Sequence, residues 1–179
     1  DKKWKKEKMG ESWYAGETLI SAIGQGFVLT NPFQLAVMTS IIASNGKIIE
    51  PTIIKGNRVR FKTNDKYFKE IKIIKKAMFK VVNENKGTAF NSRLQDIKFA
   101  GKTGTSQVRR ISLSERESDD FREKEQEWKN RDHALFVGYM PYDDPKYSIS
   151  VIIEHGGSGA STAAPIAKQI FNYINELEV

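Results

Sequence analysis

Cysteine is absent from the 179 residues. That removes disulfides, thiolate zinc sites and thiol nucleophiles, and it leaves the compartment open. Histidine is almost absent: His133 and His155 are the two residues of this type, and neither sits in a His-Glu-x-x-His pattern. A metallohydrolase is therefore not expected, and each histidine reads as a hydrogen-bonded strand residue. No apolar run approaches the ~18 residues that a membrane-spanning helix needs. The chain opens on Asp1-Lys2-Lys3-Trp4-Lys5-Lys6 rather than on a charged-then-apolar targeting signal. No G-x-x-x-x-G-K-[ST] loop exists for phosphate binding, and there is no internal repeat or low-complexity tract.

What is present is positive charge and a core's worth of apolar residues. The net charge is +7 and the pI about 9.5, with 39% hydrophobic residues, enough for one domain with a real core. A basic surface favours nucleic acid, anionic lipid or an acidic polymer. Here the excess is divided among Lys2–Lys8, Lys47–Lys80 and Arg109–Arg110, and the aromatics have core-like spacing. No DNA or RNA recognition motif is visible, so nucleic acid is not an expected partner. A generally basic surface is the simpler reading.

Residues Asp1–Gly16 are charged, with Trp13-Tyr14-Ala15-Gly16 as the apolar knot, and they read as irregular. Gly24 and Gly26 begin a dinucleotide fingerprint that fails at Leu29; they suit a close backbone contact or a positive φ. Thr30-Asn31-Pro32-Phe33-Gln34 is a helix start, with Asn31 as cap, Pro32 in the first position and Gln34 closing a capping box. Asn45-Gly46 ends that helix in the left-handed conformation. Lys47–Ile54 reads as a short strand broken by Pro51, Gly56-Asn57 as a turn, and Val59 with Phe61 as a return strand. A second helix is predicted over Asp65–Asn85, with Tyr67/Phe68, Ile71, Ile74, Met78 and Val81/Val82 as its apolar stripe and a lysine-lined wet side.

Ile97–Val108 is predicted as a strand, and Arg109–Arg131 as a long, partly helical surface connection with Phe121 and Trp128 as anchors. His133–Met140 and Lys146–Glu154 form an antiparallel hairpin around Pro141–Pro145. Gly156-Gly157-Ser158-Gly159 reads as a flexible loop. A final amphipathic helix, capped at Ser161 or Thr162, carries Ala163, Ile166, Ala167, Ile170, Phe171, Ile174 and Leu177 on one stripe. The predicted class is α+β, an antiparallel sheet covered by helices.

Two stretches bear on chemistry. Gly156-Gly157-Ser158-Gly159-Ala160 approaches the G-x-S-x-G nucleophile elbow but lacks its last glycine and follows Glu154-His155 rather than an apolar strand end. Phe99-Ala100-Gly101-Lys102-Thr103-Gly104-Thr105-Ser106-Gln107-Val108 places an ammonium, two hydroxyls and glycine-flanked backbone on one strand. That is equipment for a carboxylate and a developing oxyanion. The bland alternative is a basic strand with a glycine bulge.

The setting of Lys102-Thr103-Gly104 (a strand, then a long loop, a hairpin and a terminal helix) resembles the C-terminal half of the penicillin-binding protein transpeptidase fold, whose third motif is K-T-G. Ile23-Gly24-Gln25-Gly26, Thr30–Ala36, Ala43-Ser44-Asn45-Gly46 with Pro51, Gly87-Thr88-Ala89 and Asp132–Tyr139 are similar to further blocks of that family. The resemblance covers almost the whole chain. Arg131-Asp132-His133-Ala134 is most similar to the class B, elongation-type branch, the penicillin-binding protein 2 group.

The resemblance implies a partial β-lactamase/transpeptidase-like fold and roles for five residues. Lys102 would supply charge to the donor stem peptide's terminal carboxylate and to the catalytic hydrogen-bond network. Thr103 would hydrogen-bond that carboxylate or the one on a β-lactam. Gly104 would keep the strand edge bare for substrate to add as a strand. The backbone N–H of Thr105 would form half of the oxyanion hole, and Gln107 would line the cleft. No metal or cofactor is implied.

One departure matters. The family's S-x-x-K nucleophile motif and S-x-N motif have no credible place here. Ser44-Asn45-Gly46-Lys47 fits S-x-x-K only as text, because it straddles a helix end, and no Ser-x-Asn occurs. Residues 1–179 are therefore expected to be the C-terminal portion of one transpeptidase domain, inactive alone. The parent would be a serine D,D-transpeptidase that cross-links peptidoglycan and binds β-lactams. It would sit at the outer face of the cytoplasmic membrane, the periplasm, anchored by an upstream segment, with cell-elongation membrane proteins as partners. The chain by itself is expected to self-associate through uncovered apolar surface, which sedimentation reads directly. The rival from another class is a non-catalytic basic module that holds an anionic polymer or a partner protein; steep salt dependence of binding would mark it.

Overall fold

The structure, a computed structural model, describes residues 1–55, 60–63, 65–108 and 127–178. The predicted Gly56-Asn57 turn, Val59, Phe121 and the connection over 109–126 lie outside the described residues. The chain divides into two compact units, Asp1–Thr30 and Asn31–Val179.

The first unit corrects the expectation of an irregular start. It holds α1 (Lys2–Met9) and α2 (Ala15–Ala22). The Asp1 carboxylate caps α1 by accepting the Trp4 N–H at 2.8 Å, and Gly10 ends it at φ 71°. The Tyr14 N–H donates to Glu17 Oε2 at 2.7 Å at the start of α2. Helical periodicity is missing because α1 buries a cation rather than an apolar stripe. Lys5, 1% exposed, donates to Ser12 O at 2.9 Å and Glu17 Oε1 at 2.6 Å, with Glu11 Oε2 at 3.3 Å. Its ammonium also lies 4.6 Å from the Tyr14 ring centroid. A buried charge persists only when paired in this way. Gly24 and Gly26 both adopt positive φ, 76° and 71°, as the glycine reading anticipated.

The second unit follows the predicted order of elements, but the helix from Pro32, whose dense apolar residues predict burial on most sides, leaves Phe33 and Met38 exposed. Helix α3 (Pro32–Ala43) is capped by Asn31, whose Oδ1 accepts the Gln34 N–H at 2.9 Å while Gln34 Oε1 accepts the Asn31 N–H at 3.1 Å. Asn45 and Gly46 then turn left-handed, φ 58° and 92°. Strand β1 (Lys47–Glu50) pairs antiparallel with β2 (Arg60–Thr63), Ile49 opposite Phe61. The second helix begins with a tight 3₁₀ turn at Asp65–Tyr67, and α4 proper is Phe68–Asn83. It buries Met78 and Val82, whereas Tyr67, Phe68 and Ile74, placed on the predicted apolar stripe, stay exposed at the open start of the helix.

Strands β3 (Ala100–Ser106), β4 (His133–Met140) and β5 (Tyr147–Ile153) form an antiparallel sheet in the order β3-β4-β5. Lys102 faces Val137, Thr103 faces Phe136 and Gly104 faces Leu135 across β3 and β4. The terminal helix α5 (Ala164–Glu178) covers one face of this sheet. Its start differs from expectation: Ser158 caps a single wide π turn, Gly159–Ala163, ahead of α5. Ala163, Ala164 and Ala167, all fully buried, let the helix approach the sheet closely, and Phe171 packs 5.1 Å from Phe99. Phe99, Phe136 and Phe171 are each 0% exposed; burying such a side chain contributes about 1.5–3 kcal/mol. Ile170 and Leu177, placed on the same predicted stripe, remain exposed.

The opposite face packs Ala100 and Tyr139 on Ala43 of α3 and Met78 of α4. Lys75 ties the two helices there, donating to Ala43 O at 2.8 Å and Asn45 Oδ1 at 3.0 Å. Desolvation pushes its ammonium pKa down, opposed by Asp143, and burial pushes the Tyr139 phenol up. Asn83 Nδ2 donates to Phe99 O at 2.9 Å, which fastens α4 to the approach of β3. These bonds leave β3 an outermost strand of the described sheet, held on one flank by α4.

Candidate functional site

The polar groups of β3 alternate in direction, and three observations fix the phase. A Cβ on Gly159 would collide with the carbonyl oxygens of both Gly104 and Leu135 and lie 2.9 Å from Gly104 N. Those atoms therefore meet between the strands, and Gly104 and Leu135 are a hydrogen-bonded pair. Alternation turns the backbone N–H and C=O of Phe99, Gly101, Thr103 and Thr105 toward the outer edge. Two bonds agree: Phe99 O accepts Asn83 Nδ2 from α4, and Thr103 O accepts Lys102 Nζ at 2.6 Å.

Lys102 is exposed, and its ammonium curls back along its own strand onto that outer carbonyl. Thr103 is half-buried, and its hydroxyl lies 2.8 Å from the Thr88 hydroxyl. Gly104 is half-buried, and a Cβ there would come within 3.2 Å of Leu135 Cβ. Its bareness thus serves the strand pairing. Thr105 is exposed, opposite Ala134. Gln107 is exposed one position past the end of β3. The edge therefore gathers a cation, a hydroxyl pair and outward backbone groups, which is what recognition of an extended peptide ending in a carboxylate requires.

The far end of β3 is held by a knot that the sequence did not announce. Asp132 Oδ1 accepts the Val108 N–H at 3.3 Å, and the Asp132 carbonyl accepts the Gly157 N–H at 2.8 Å. His133 Nδ1 accepts the His155 N–H at 2.9 Å, while His155 Nδ1 lies 3.0 Å from Arg131 O. A ring nitrogen that accepts carries no proton and one facing a carbonyl must carry one, so the two rings are opposite tautomers when neutral. Trp128 packs 4.4 Å from the His155 ring but stays 62% exposed, so it touches this knot without being buried as an anchor. The Gly156–Gly159 segment is consequently pinned, not flexible: Thr162 Oγ1 donates to Gly156 O at 2.9 Å, and Gly159 lies against β3 and β4.

The two serine alternatives are accounted for by backbone chemistry. Ser44 Oγ bonds Ile41 O at 3.3 Å and Lys47 O at 3.2 Å, and Lys47 belongs to β1. Ser158 Oγ accepts the Ala160 N–H at 3.3 Å as a cap. A hollow of about 530 Å³ at the start of α4, lined among the described residues by Lys66, Phe68, Lys69 and Glu70, carries no hydroxyl or imidazole group among them. The β3 edge is the better site on chemical grounds.

Residues 3–172 match the family described as penicillin binding protein transpeptidase domain. The chain is 33% identical to the peptidoglycan D,D-transpeptidase MrdA of Haemophilus influenzae over 96% of its length, and 33% identical to that of Acinetobacter baumannii over 95%. It spans only 28% and 26% of those relatives. Among solved structures it resembles the penicillin-binding protein PBP2 of Helicobacter pylori, alone and in a complex with MreC. Each match has a TM-score of 0.81 and 32% identity, covering 99% of this chain and 30% of that one. With a profile match over most of its length, similar sequences and a shared fold, this chain belongs to the penicillin-binding protein transpeptidase domain family.

Proposed function

We propose that this chain forms the substrate-holding wall of a peptidoglycan D,D-transpeptidase, an acyl-transferring serine enzyme whose nucleophile lies in sequence upstream of it. The outward direction of the odd-numbered backbone groups of β3, beside an exposed Lys102, carries the reading. A donor stem peptide would lie along that edge as an added strand. The Lys102 ammonium would attract the terminal carboxylate and support proton movement at the attacked bond. The Thr103 hydroxyl would hydrogen-bond the carboxylate, and Gly104 would leave room for the peptide. The Thr105 N–H, aimed outward, would be one of the two donors to the oxyanion; losing such a donor costs about 3 kcal/mol of transition-state stabilisation. Gln107 would line the mouth of the cleft.

A β-lactam would occupy the same edge with its own carboxylate. The parent enzyme would work at the outer face of the cytoplasmic membrane. The parent would take cell-elongation membrane proteins as partners, and the complex of the Helicobacter pylori relative with MreC supports a protein partner for it. Fluorescent penicillin tests the whole reading. A longer protein that includes the upstream motifs should be labelled on a serine, and the 179-residue chain should stay unlabelled. Failure of any serine in the longer protein to acylate would overturn it.

A further inference from the structure

The Thr88 hydroxyl lies 2.8 Å from the Thr103 hydroxyl, and it has no place in the chemistry described so far. Each hydroxyl owns one proton and two lone pairs, so one of the two donates and the other accepts. An ionised carboxylate accepts only. A carboxylate bound at Thr103 claims that residue's proton, which leaves Thr88 as the donor to Thr103 Oγ. The resulting chain runs Thr88 O–H to Thr103 O–H to carboxylate, and each bond polarises the next.

The backbone around Thr88 is built to hold still. The Gly87 N–H donates to Glu84 O at 2.8 Å, the Ala89 N–H to Val81 O at 3.0 Å, and the Phe90 N–H to Gly87 O at 3.1 Å. Gly87 rides so close to the end of α4 that a Cβ there would strike Val81 O and come within 2.5 Å of Lys80 O. Since Asn83 fastens the same end of α4 to Phe99 O, Thr88 and β3 are joined to one rigid corner.

We propose that Thr88 is a positioning residue that commits the Thr103 hydroxyl to donate to the carboxylate of the substrate or β-lactam. The inference rests on the transpeptidase reading above. It is tested in the longer acylating protein by the second-order rate of acylation with benzylpenicillin and with its methyl ester, which lacks the carboxylate charge. Thr88→Val keeps the shape and removes the donor. It should slow acylation by benzylpenicillin by a few-fold to about tenfold, the worth of one hydrogen bond between neutral hydroxyls, and leave the ester rate unchanged. Thr88→Ser should restore the benzylpenicillin rate, and Thr88→Val should have no further effect when added to Thr103→Val. Equal slowing with both compounds, no slowing with benzylpenicillin, no rescue by serine, or undiminished slowing in the Thr103→Val background would each overturn the inference. Thermal unfolding of each variant separates loss of fold from loss of the bond. A wild-type protein that fails to acylate at all would instead remove the transpeptidase reading itself.

Discussion

At the scale of single residues, several positions are set by what cannot fit. Gly159 lies over the Gly104–Leu135 pair with no room for a Cβ, so the turn ahead of α5 reaches the candidate strand by backbone alone. Gly159→Ala should destabilise the fold by about 1–3 kcal/mol, the cost of forcing extra volume into a packed site; chemical denaturation reads this, and an unchanged midpoint would show that the contact yields. Gly101 faces Gly138 across β3 and β4, and a Cβ on either would press against Phe136. The two glycines make room for that ring. The K-T-G tripeptide was legible through its setting (a strand, a long loop, a hairpin and a terminal helix), because by itself it fits a basic strand with a glycine bulge equally well. The Thr88 contact was not, since fifteen residues of sequence separation conceal it. Gly159 was visible as a glycine, but its reason was misread: close approach and flexibility leave the same letter in a sequence.

At the scale of elements, capping chemistry and apolar alternation were the readable signals. Asn31, Pro32 and Gln34 announced α3, and Tyr147, Ile149, Val151 and Ile153 announced β5. Helices α1 and α2 were missed for a physical reason. Their organising residue is Lys5, and a lysine at a core position carries no apolar period. The available signs were caps: Asp1 ahead of α1, Gly10 after it, and Glu17 three residues into α2.

The Lys5–Glu17 pair gives this element a pH dependence of definite sign. The hydrogen bond from Lys5 holds the Glu17 carboxyl below its ordinary pKa, against the opposing pull of desolvation, and Glu17 raises Lys5 in return. A lowered acid contributes stability above its unfolded pKa and loses it as pH falls through the folded value. Amide exchange at Tyr14, whose N–H donates to Glu17 Oε2, should therefore stay protected at neutral pH and lose protection on acidification below the ordinary glutamate range. Protection lost already within the ordinary range would show that the pair does not hold Glu17 down. The raised Lys5 predicts a second loss at the alkaline end, as pH rises through its folded pKa.

At the scale of the whole molecule, the second unit places one sheet between two dissimilar packings. α5 covers the first face with alanines and Phe171; α3 and α4 meet the other around Tyr139 and Met78. β3 is left at the end of the described sheet with α4 fastened near its start and the Asp132–His133–His155 knot at its finish. An edge clamped at both ends can keep donors in place for chemistry without reorganising, the condition under which electrostatic stabilisation of a transition state is strongest. The sequence carried the order of these elements because each is locally consistent. The clamps it did not carry, since both join residues far apart in the chain.

The central claim is that the β3 edge at Lys102 is one wall of an acyl-transfer cleft. The most direct test is the second-order rate constant for acylation by benzylpenicillin of the longer protein that includes this chain, measured for wild type and for Lys102→Ala at matched thermal stability. The account predicts a loss of about a hundredfold or more in the variant. Acylation of Lys102→Ala at the wild-type rate would contradict it.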